Sequence, residues 1–271
     1  MVAALGIVLA TGCDYPLGIG RAFLDGEWAY EAATVSGATL DCSVAGLLQG
    51  LSMIGGPSSS VKEAALISFG VAALFGLLLA TSLAVGLMSR ADPSPWPLVA
   101  MIAIDALIVL VAAGLRWRKL LFLFKLHPID TLRGLEILAT SVAFILVMSV
   151  YFKFLQRLGV PFSQATETLA QAGWPLWSML VLVSLMPAII EELAFRGVIQ
   201  SSLERIFNAR DAWLIQAALF SLLHLSPIVF PSHFVMGLCF GLIRMRSRSL
   251  YPSILLHAAW NALVVFQELG V

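Results

Sequence analysis

The sequence predicts an all-α protein, a polytopic transmembrane helical bundle of seven to eight spans. Three observations carry that expectation. Hydrophobic residues fill 60% of the 271 positions and charged residues only 12%, where a soluble domain carries roughly 25% charged residues. Several uncharged apolar runs reach the roughly 20 residues that a helix needs to cross a bilayer. The basic residues also gather in alternate connections instead of spreading evenly. Net charge is zero, so nothing points to nucleic acid or an acidic substrate as a partner. Cys13, Cys42 and Cys239 are odd in number, scattered and without metal-ligand spacing, and read as incidental.

Residues 1–12 are apolar but too short to span, and no Lys or Arg precedes them as in a signal peptide. For the same reason Ala10-Thr11-Gly12-Cys13 reads weakly as a lipoprotein cleavage site. Asp14 to Glu31 is mixed and reads as interfacial, and Ala32 to Ile54, with Asp41 inside it, is a possible extra span. The breaker cluster Gly55-Gly56-Pro57-Ser58-Ser59-Ser60 then marks a boundary. Ala64 to Met88 spans, Arg90 to Pro97 is a proline-rich turn, and Leu98 to Leu115 spans with Asp105 inside it. That lone acid has no obvious partner and reads first as a structural pair. A basic connector, Arg116 to Arg133, contains an interfacial His127 and leads to a span over Leu135 to Phe152. After a polar loop, Leu155 to Gly173, the next span runs from Trp174 to Arg196. Gly197 to Arg210 is expected as a polar interfacial helix. Ala212 to Leu225, His233 to Arg244 and Leu250 to Gln267 complete the spans. Three regions result: an N-terminal segment (1–63), accessory transmembrane helices (64–157) and a catalytic transmembrane core (158–271).

Eleven basic residues fall on one side of this layout: Arg116, Arg118, Lys119, Lys125 and Arg133, then Arg196, Arg205 and Arg210, then Arg244, Arg246 and Arg248. The other side holds three, Arg90, Lys153 and Arg157. The positive-inside rule makes the first side cytoplasmic. It places the glutamate pair of the Trp174–Arg196 span near the cytoplasmic end of its helix.

That pair is the chemical centre of the sequence. Leu176 to Ile190 contains no charge, and Glu191 and Glu192 follow at once. A carboxylate within a bilayer costs about 2.5 kcal/mol or more and faces a bundle interior or wet cavity. Glu192 and Arg196 share a helix face, acid before base, the better orientation of an ion pair. Glu191, turned about 100° away, is left for the cavity as a general base for water. Pro187 removes a backbone hydrogen bond one turn earlier and can kink the helix. Two later spans supply partners: Phe220-x-x-x-His224, whose imidazole can share the water, and His257-x-x-x-Asn261, whose N–H groups suit a developing oxyanion. Base, orienting histidine and oxyanion donors together make an amide hydrolase. Ser221 has no plausible base on its own helix face, and His233 reads either way.

Each feature also has a bland reading. A buried histidine is more often a satisfied core residue, and a Glu–Arg pair is usually only an ion pair. Zinc is the other use for such residues. Glu191, His224 and His257 could nominally supply three ligands with water as the fourth. The chain lacks His-Glu-x-x-His, however, and a metal-free glutamate mechanism without cofactor is the expectation.

Glu-Glu-x-x-x-Arg, Phe-x-x-x-His and His-x-x-x-Asn, in that order on separate hydrophobic helices, resemble the CPBP family. Its members are the type II CAAX prenyl endopeptidases and the bacteriocin-processing or self-immunity proteins, often labelled intramembrane metalloproteases. The resemblance covers about Trp174 to Phe266. It implies a helical bundle around a water-filled cavity open to the cytosol, with Glu191 and His224 activating water and His257 and Asn261 as the oxyanion hole. Glu192, Arg196 and Phe220 take supporting places. It also implies a substrate that is a membrane-associated protein or peptide tail. The short, Ala/Leu/Gly-rich chain with no retention signal fits a prokaryotic inner membrane, where protein sorting or peptide maturation suits better than prenyl processing. The competing classes are a non-catalytic immunity or scaffold membrane protein, and a proton-coupled transporter using Glu191, Glu192 and Asp105.

Overall fold

The computed structural model describes residues 59–160 and 165–270, together with the backbone of two strands at 19–24 and 27–32. It divides into two compact units, Met1–Ser58 and Ser59–Val271. The possible extra span and the lipoprotein-like tetrapeptide lie outside the described residues, apart from Ala32 itself.

In the first unit, β1 (Ile19–Leu24) and β2 (Glu27–Ala32) pair antiparallel, with Leu24 opposite Glu27 and Ile19 opposite Ala32. This corrects the all-α expectation for that stretch. The overlooked signal was Asp25-Gly26, a dipeptide typical of two-residue hairpin connections.

The second unit is helical throughout its described residues. Its main helices are α1 (Ser59–Ala91), α2 (Trp96–Leu115), α3 (Thr131–Arg157), the short α4 (Ala165–Gln171), α5 (Leu176–Leu203), α6 (Ala209–Leu223), α7 (Phe230–Ser247) and α8 (Tyr251–Leu269). Their starts follow local rules. Asp130 and Asn208 accept the backbone N–H of Arg133 and Asp211 at 2.9 and 3.0 Å, capping α3 and α6. Proline sits in the first turn of α2, α7 and α8, where its missing N–H costs nothing.

Among the described residues, four helices are long and apolar enough to cross a membrane: Val61–Ala91 within α1, then α2, α3 and α5. The three other expected spans correspond to α6, α7 and α8. The first has only 15 residues, the second carries Arg244 and Arg246, and the third carries His257, Asn261 and Glu268. Their polar content is the price of building a site inside the bundle. Residues 64–157 and 158–271 share one hydrophobic core, in which Val71, Val109, Phe144, Phe195, Phe240 and Trp260 all take part.

One boundary moved. The span expected to stop at Arg196 continues to Leu203, and Leu193 through Gln200 are all buried instead of lying at an interface. Glu191 therefore lies mid-helix, about 18 Å before Leu203. His224 lies about 22 Å beyond the start of α6. The two reach a common depth without the strong tilt or inward dip that the shorter helix demanded.

The antiparallel helices bring the ends of α2, α5 and α7 together with the starts of α1, α3, α6 and α8. Arg116 donates to Ser202, Arg205 pairs with Glu63, Arg246 pairs with Glu136 at 2.8 Å, and Arg244 contacts both oxygens of Glu204 at 2.7 and 2.9 Å. The cation-rich connections thus form one end of the unit. Arg196 is not among them, being wholly buried.

α6 and α7 approach unusually closely. A Cβ on Gly237 would stand 2.6 Å from Ala217 Cα, and one on Gly241 2.6 Å from Gln216 Nε2. The Gly237-x-x-x-Gly241 spacing is the small-residue pattern that lets helix backbones touch. Trp213 Nε1 and Gln216 Nε2 then donate to the Leu238 and Gly237 carbonyls, both at 2.8 Å.

Candidate active site

Three elements bring their polar side chains to one place. Glu191 from the middle of α5, His224 from the end of α6, and His257 and Asn261 from α8 all line a cavity of about 450 Å³. Each of these candidates, chosen from sequence, is present on its wall. His233, left undecided from sequence, lines it as well, from the first turn of α7. The available signal was its place just inside a proline-started helix, nine residues after His224.

Behind the cavity wall lies a buried ionic pair. Arg196 Nη1 stands 2.9 Å from Glu192 Oε1, and both side chains are fully buried. Arg196 Nη2 donates to the Met236 carbonyl at 3.3 Å. The guanidinium also lies over the rings of Phe220 and Phe240, at 4.5 and 5.4 Å from their centroids. A delocalised cation suits such aromatic faces better than an ammonium would. Phe220 packs behind the histidines. Its ring meets Phe195 edge-on at 5.1 Å, His224 at 5.2 Å and His257 at 6.2 Å.

The histidines are oriented by what their Nδ1 atoms meet. His257 Nδ1 donates to Glu192 Oε1 at 3.1 Å, His224 Nδ1 to the Phe220 carbonyl at 3.0 Å, and His233 Nδ1 to the Val229 carbonyl at 3.0 Å. Those acceptors fix the tautomer, so each neutral ring keeps Nε2 as its acceptor. His257 Nε2 is 3.9 Å from Glu191 Oε2, beyond direct hydrogen-bond length. The His224 and His233 rings lie with centroids 3.7 Å apart. His224 caps α6, and Leu225 after it adopts φ 52°, a left-handed conformation uncommon for leucine. That turn is held by Tyr151, which donates to the Ile228 carbonyl, and by Ser221 Oγ, which donates to the Phe230 carbonyl at 2.5 Å. Ser221 is thereby committed to structure.

A second cavity, of about 370 Å³, shares Glu191 and His224 with the first and has Asp105 on its wall. Asp105 Oδ1 is buried without a hydrogen-bond partner among the described residues.

Among the described residues, no group of three or more His, Cys, Asp or Glu side chains could hold a metal ion. Glu191, His224 and His257, the alternative zinc ligands, line one cavity.

The expected opening toward the cation-rich end is not where the lining lies. Phe152 and Leu155 belong to the last turns of α3, Val183 and Pro187 to the first half of α5, and Val264 and Glu268 to the last turns of α8. All are on the opposite half of the unit.

The family model described as "Rce1-like: Type II CAAX prenyl endopeptidase Rce1-like" matches residues 173–263, which run from just before α5 to within α8. No curated protein and no solved structure matches the chain.

Proposed function

We propose that this chain, whose residues 173–263 belong to the type II CAAX prenyl endopeptidase family, is an integral membrane endopeptidase that hydrolyses a peptide bond in the tail of a membrane-associated protein or peptide precursor. The observation that carries this reading is the convergence of Glu191, His224, His257 and Asn261, from three helices, on one largely apolar cavity. The seven-span arrangement, with α6 to α8 crossing beside the four longer helices, belongs to the same proposal, as does a prokaryotic plasma membrane as its site.

In this reading a water held by Glu191 and His224 Nε2 loses a proton to Glu191 as it attacks the scissile carbonyl. Such positioned proton transfer contributes roughly 10²- to 10⁴-fold. The tetrahedral oxyanion is met by the Asn261 side-chain amide and by His257 Nε2, which carries a proton for donation only in the cationic ring. Donors aimed at developing charge in a water-poor site are worth about 2.7 to 4 kcal/mol each. Glu191 then returns the proton to the departing amine, so the products are a carboxylate and an amine. Glu192 and Arg196 touch no substrate here; they hold the His257 ring in place.

The test is cleavage of a reporter protein bearing a hydrophobic tail by purified, detergent-solubilised protein. Glu191→Gln and His224→Ala abolish cleavage while leaving membrane insertion and thermal unfolding near wild type. Full cleavage by either variant refutes the mechanism. An unchanged cellular phenotype in both variants would instead support a non-catalytic immunity or scaffold role.

A further inference from the structure

At the cation-rich end, the connector after α2 and the ends of α5 and α7 enclose another cavity, of about 340 Å³. It shares no lining residue with the two cavities around Glu191. Four cations reach its wall: Arg116 and Lys119 from the connector, Arg205 from just after α5, and Arg244 from α7. Arg244 is paired with Glu204 and Arg205 with Glu63, so four positive charges face two negative ones. Arg116 and Lys119 meet no carboxylate among the described residues.

Two of these cations are built into the bundle, unlike the exposed residues that merely orient a membrane protein. Arg244 is only 5% exposed. Its Nη1 donates to Glu204 and its Nη2 to Ser201 Oγ at 2.5 Å, while its buried Nε–H has no partner among the described residues. Arg116 is half-buried and donates to Ser202. Its Nη2 lies so close to α1 that a Cβ on Gly70 would stand 2.8 Å away. Burial, and then the like charge of Arg205, lower the Arg116 pKa from the usual arginine value. A guanidinium held this way has little freedom left to lose on binding. Its planar fork matches the oxygens of a phosphate.

We propose that this cavity binds the phosphate head group of an anionic membrane lipid, held by Arg116, Lys119 and Arg244. The proposal stands independently of the peptidase reading. The connector argues for a lipid over a free anion. Trp117, Phe122 and Leu126 are exposed there, at 50, 47 and 78%, among the exposed Arg118, Lys119 and Lys125. Aromatic and apolar side chains interleaved with cations mark a segment that lies in the membrane surface. Leu120 and Leu123 are buried in the core, and the Leu123 carbonyl accepts the Leu250 N–H at 2.9 Å. The connector is therefore a fixed shelf. Phe122 also lines the cavity, giving the glycerol and first methylenes of a lipid an apolar contact beside the charges. Basic pockets between helices at the cytoplasmic surface suit anionic head groups for these reasons.

The test uses the full chain in neutral detergent, titrated with short-chain phosphatidylglycerol, with phosphatidylcholine of the same chain length, or with inorganic phosphate at matched ionic strength. Native mass spectrometry counts the bound lipid. One phosphatidylglycerol is expected to bind about tenfold or more tighter than phosphatidylcholine, since each basic residue near an anionic lipid contributes about fivefold. Inorganic phosphate at the same concentration leaves it bound. Lys119→Gln and Arg116→Gln each weaken phosphatidylglycerol binding about fivefold. Arg118→Gln, exposed on the same connector but absent from the cavity wall, leaves it unchanged. Equal binding of the two lipids overturns the proposal, as does unchanged affinity in Lys119→Gln or an equal loss in Arg118→Gln. Displacement by inorganic phosphate would assign the cavity to a free anion and overturn the lipid as its occupant. If Arg116→Gln does not fold, the lipid preference of the wild type and the Lys119→Gln affinity decide the matter.

Discussion

The residue whose removal tells most is Arg196. It and Glu192 are both wholly buried at 2.9 Å, and Glu192 Oε2 has no hydrogen-bond partner among the described residues. Deleting one partner of such a pair strands the other charge and costs about 3 to 5 kcal/mol. Arg196→Met is therefore expected to lower the amount of folded protein sharply, measured by thermal unfolding in detergent. Glu192→Gln likewise leaves the buried guanidinium without its counter-charge and should also lower the amount of folded protein. Its amide still accepts from His257, but more weakly than a carboxylate, so it should lower cleavage as well. His233 offers a separate check. Its ring centroid lies 3.7 Å from that of His224, a tilted contact that holds the ring proposed to share the water. His233→Ala is expected to reduce kcat by about tenfold to a hundredfold, since small misplacements near reacting groups cost that much. A kcat equal to wild type would show that the ring contact has no role.

At the scale of the element, α5 is not a uniform α-helix. Widened π turns at Leu180–Leu185 and Leu193–Gln200 flank the regular turns that carry the two glutamates. Pro187 has no N–H, and its ring crowds the carbonyl four residues before it, which explains a wide turn ending just upstream. The second widened turn covers the wholly buried stretch that follows the glutamates, and such turns recur at functional sites. The α6–α7 pair depends instead on absent side chains. With Ala217 Cα only 2.6 Å from the place of a Cβ, Gly237→Ala must separate two backbones. That overpacking costs about 1 to 3 kcal/mol. It also shifts His224 and His233, which sit at the two facing ends of these helices. Reduced thermal stability together with reduced cleavage is the expected result; an unchanged melting midpoint would mean the helices can part without cost.

For the whole molecule, the proposed mechanism activates water with the Glu191 carboxylate and without a metal. Purified protein incubated with a strong chelator and dialysed is expected to keep its cleavage activity. Loss of activity restored by zinc alone would replace the glutamate mechanism with a metal one.

The class of protein was legible in the sequence because composition and run length are local properties: a chain with 12% charged residues and long apolar runs has few alternatives to a membrane bundle. The four candidate site residues were legible for a similar reason, since polar groups stand out where apolar ones are the rule. Glu192 and Arg196 were legible as a pair because four-residue spacing on one helix fixes their meeting. What the sequence left undecided were quantities set between helices. Arg196 reads as the end of a span, because a cation normally stops one; only packing against Phe220, Phe240 and Met236 makes its burial tolerable and carries α5 on to Leu203. His233 joined the site, and the cavity turned away from the cationic end, for the same reason. Which side chains meet, and which way a space between helices opens, depends on neighbours far apart along the chain.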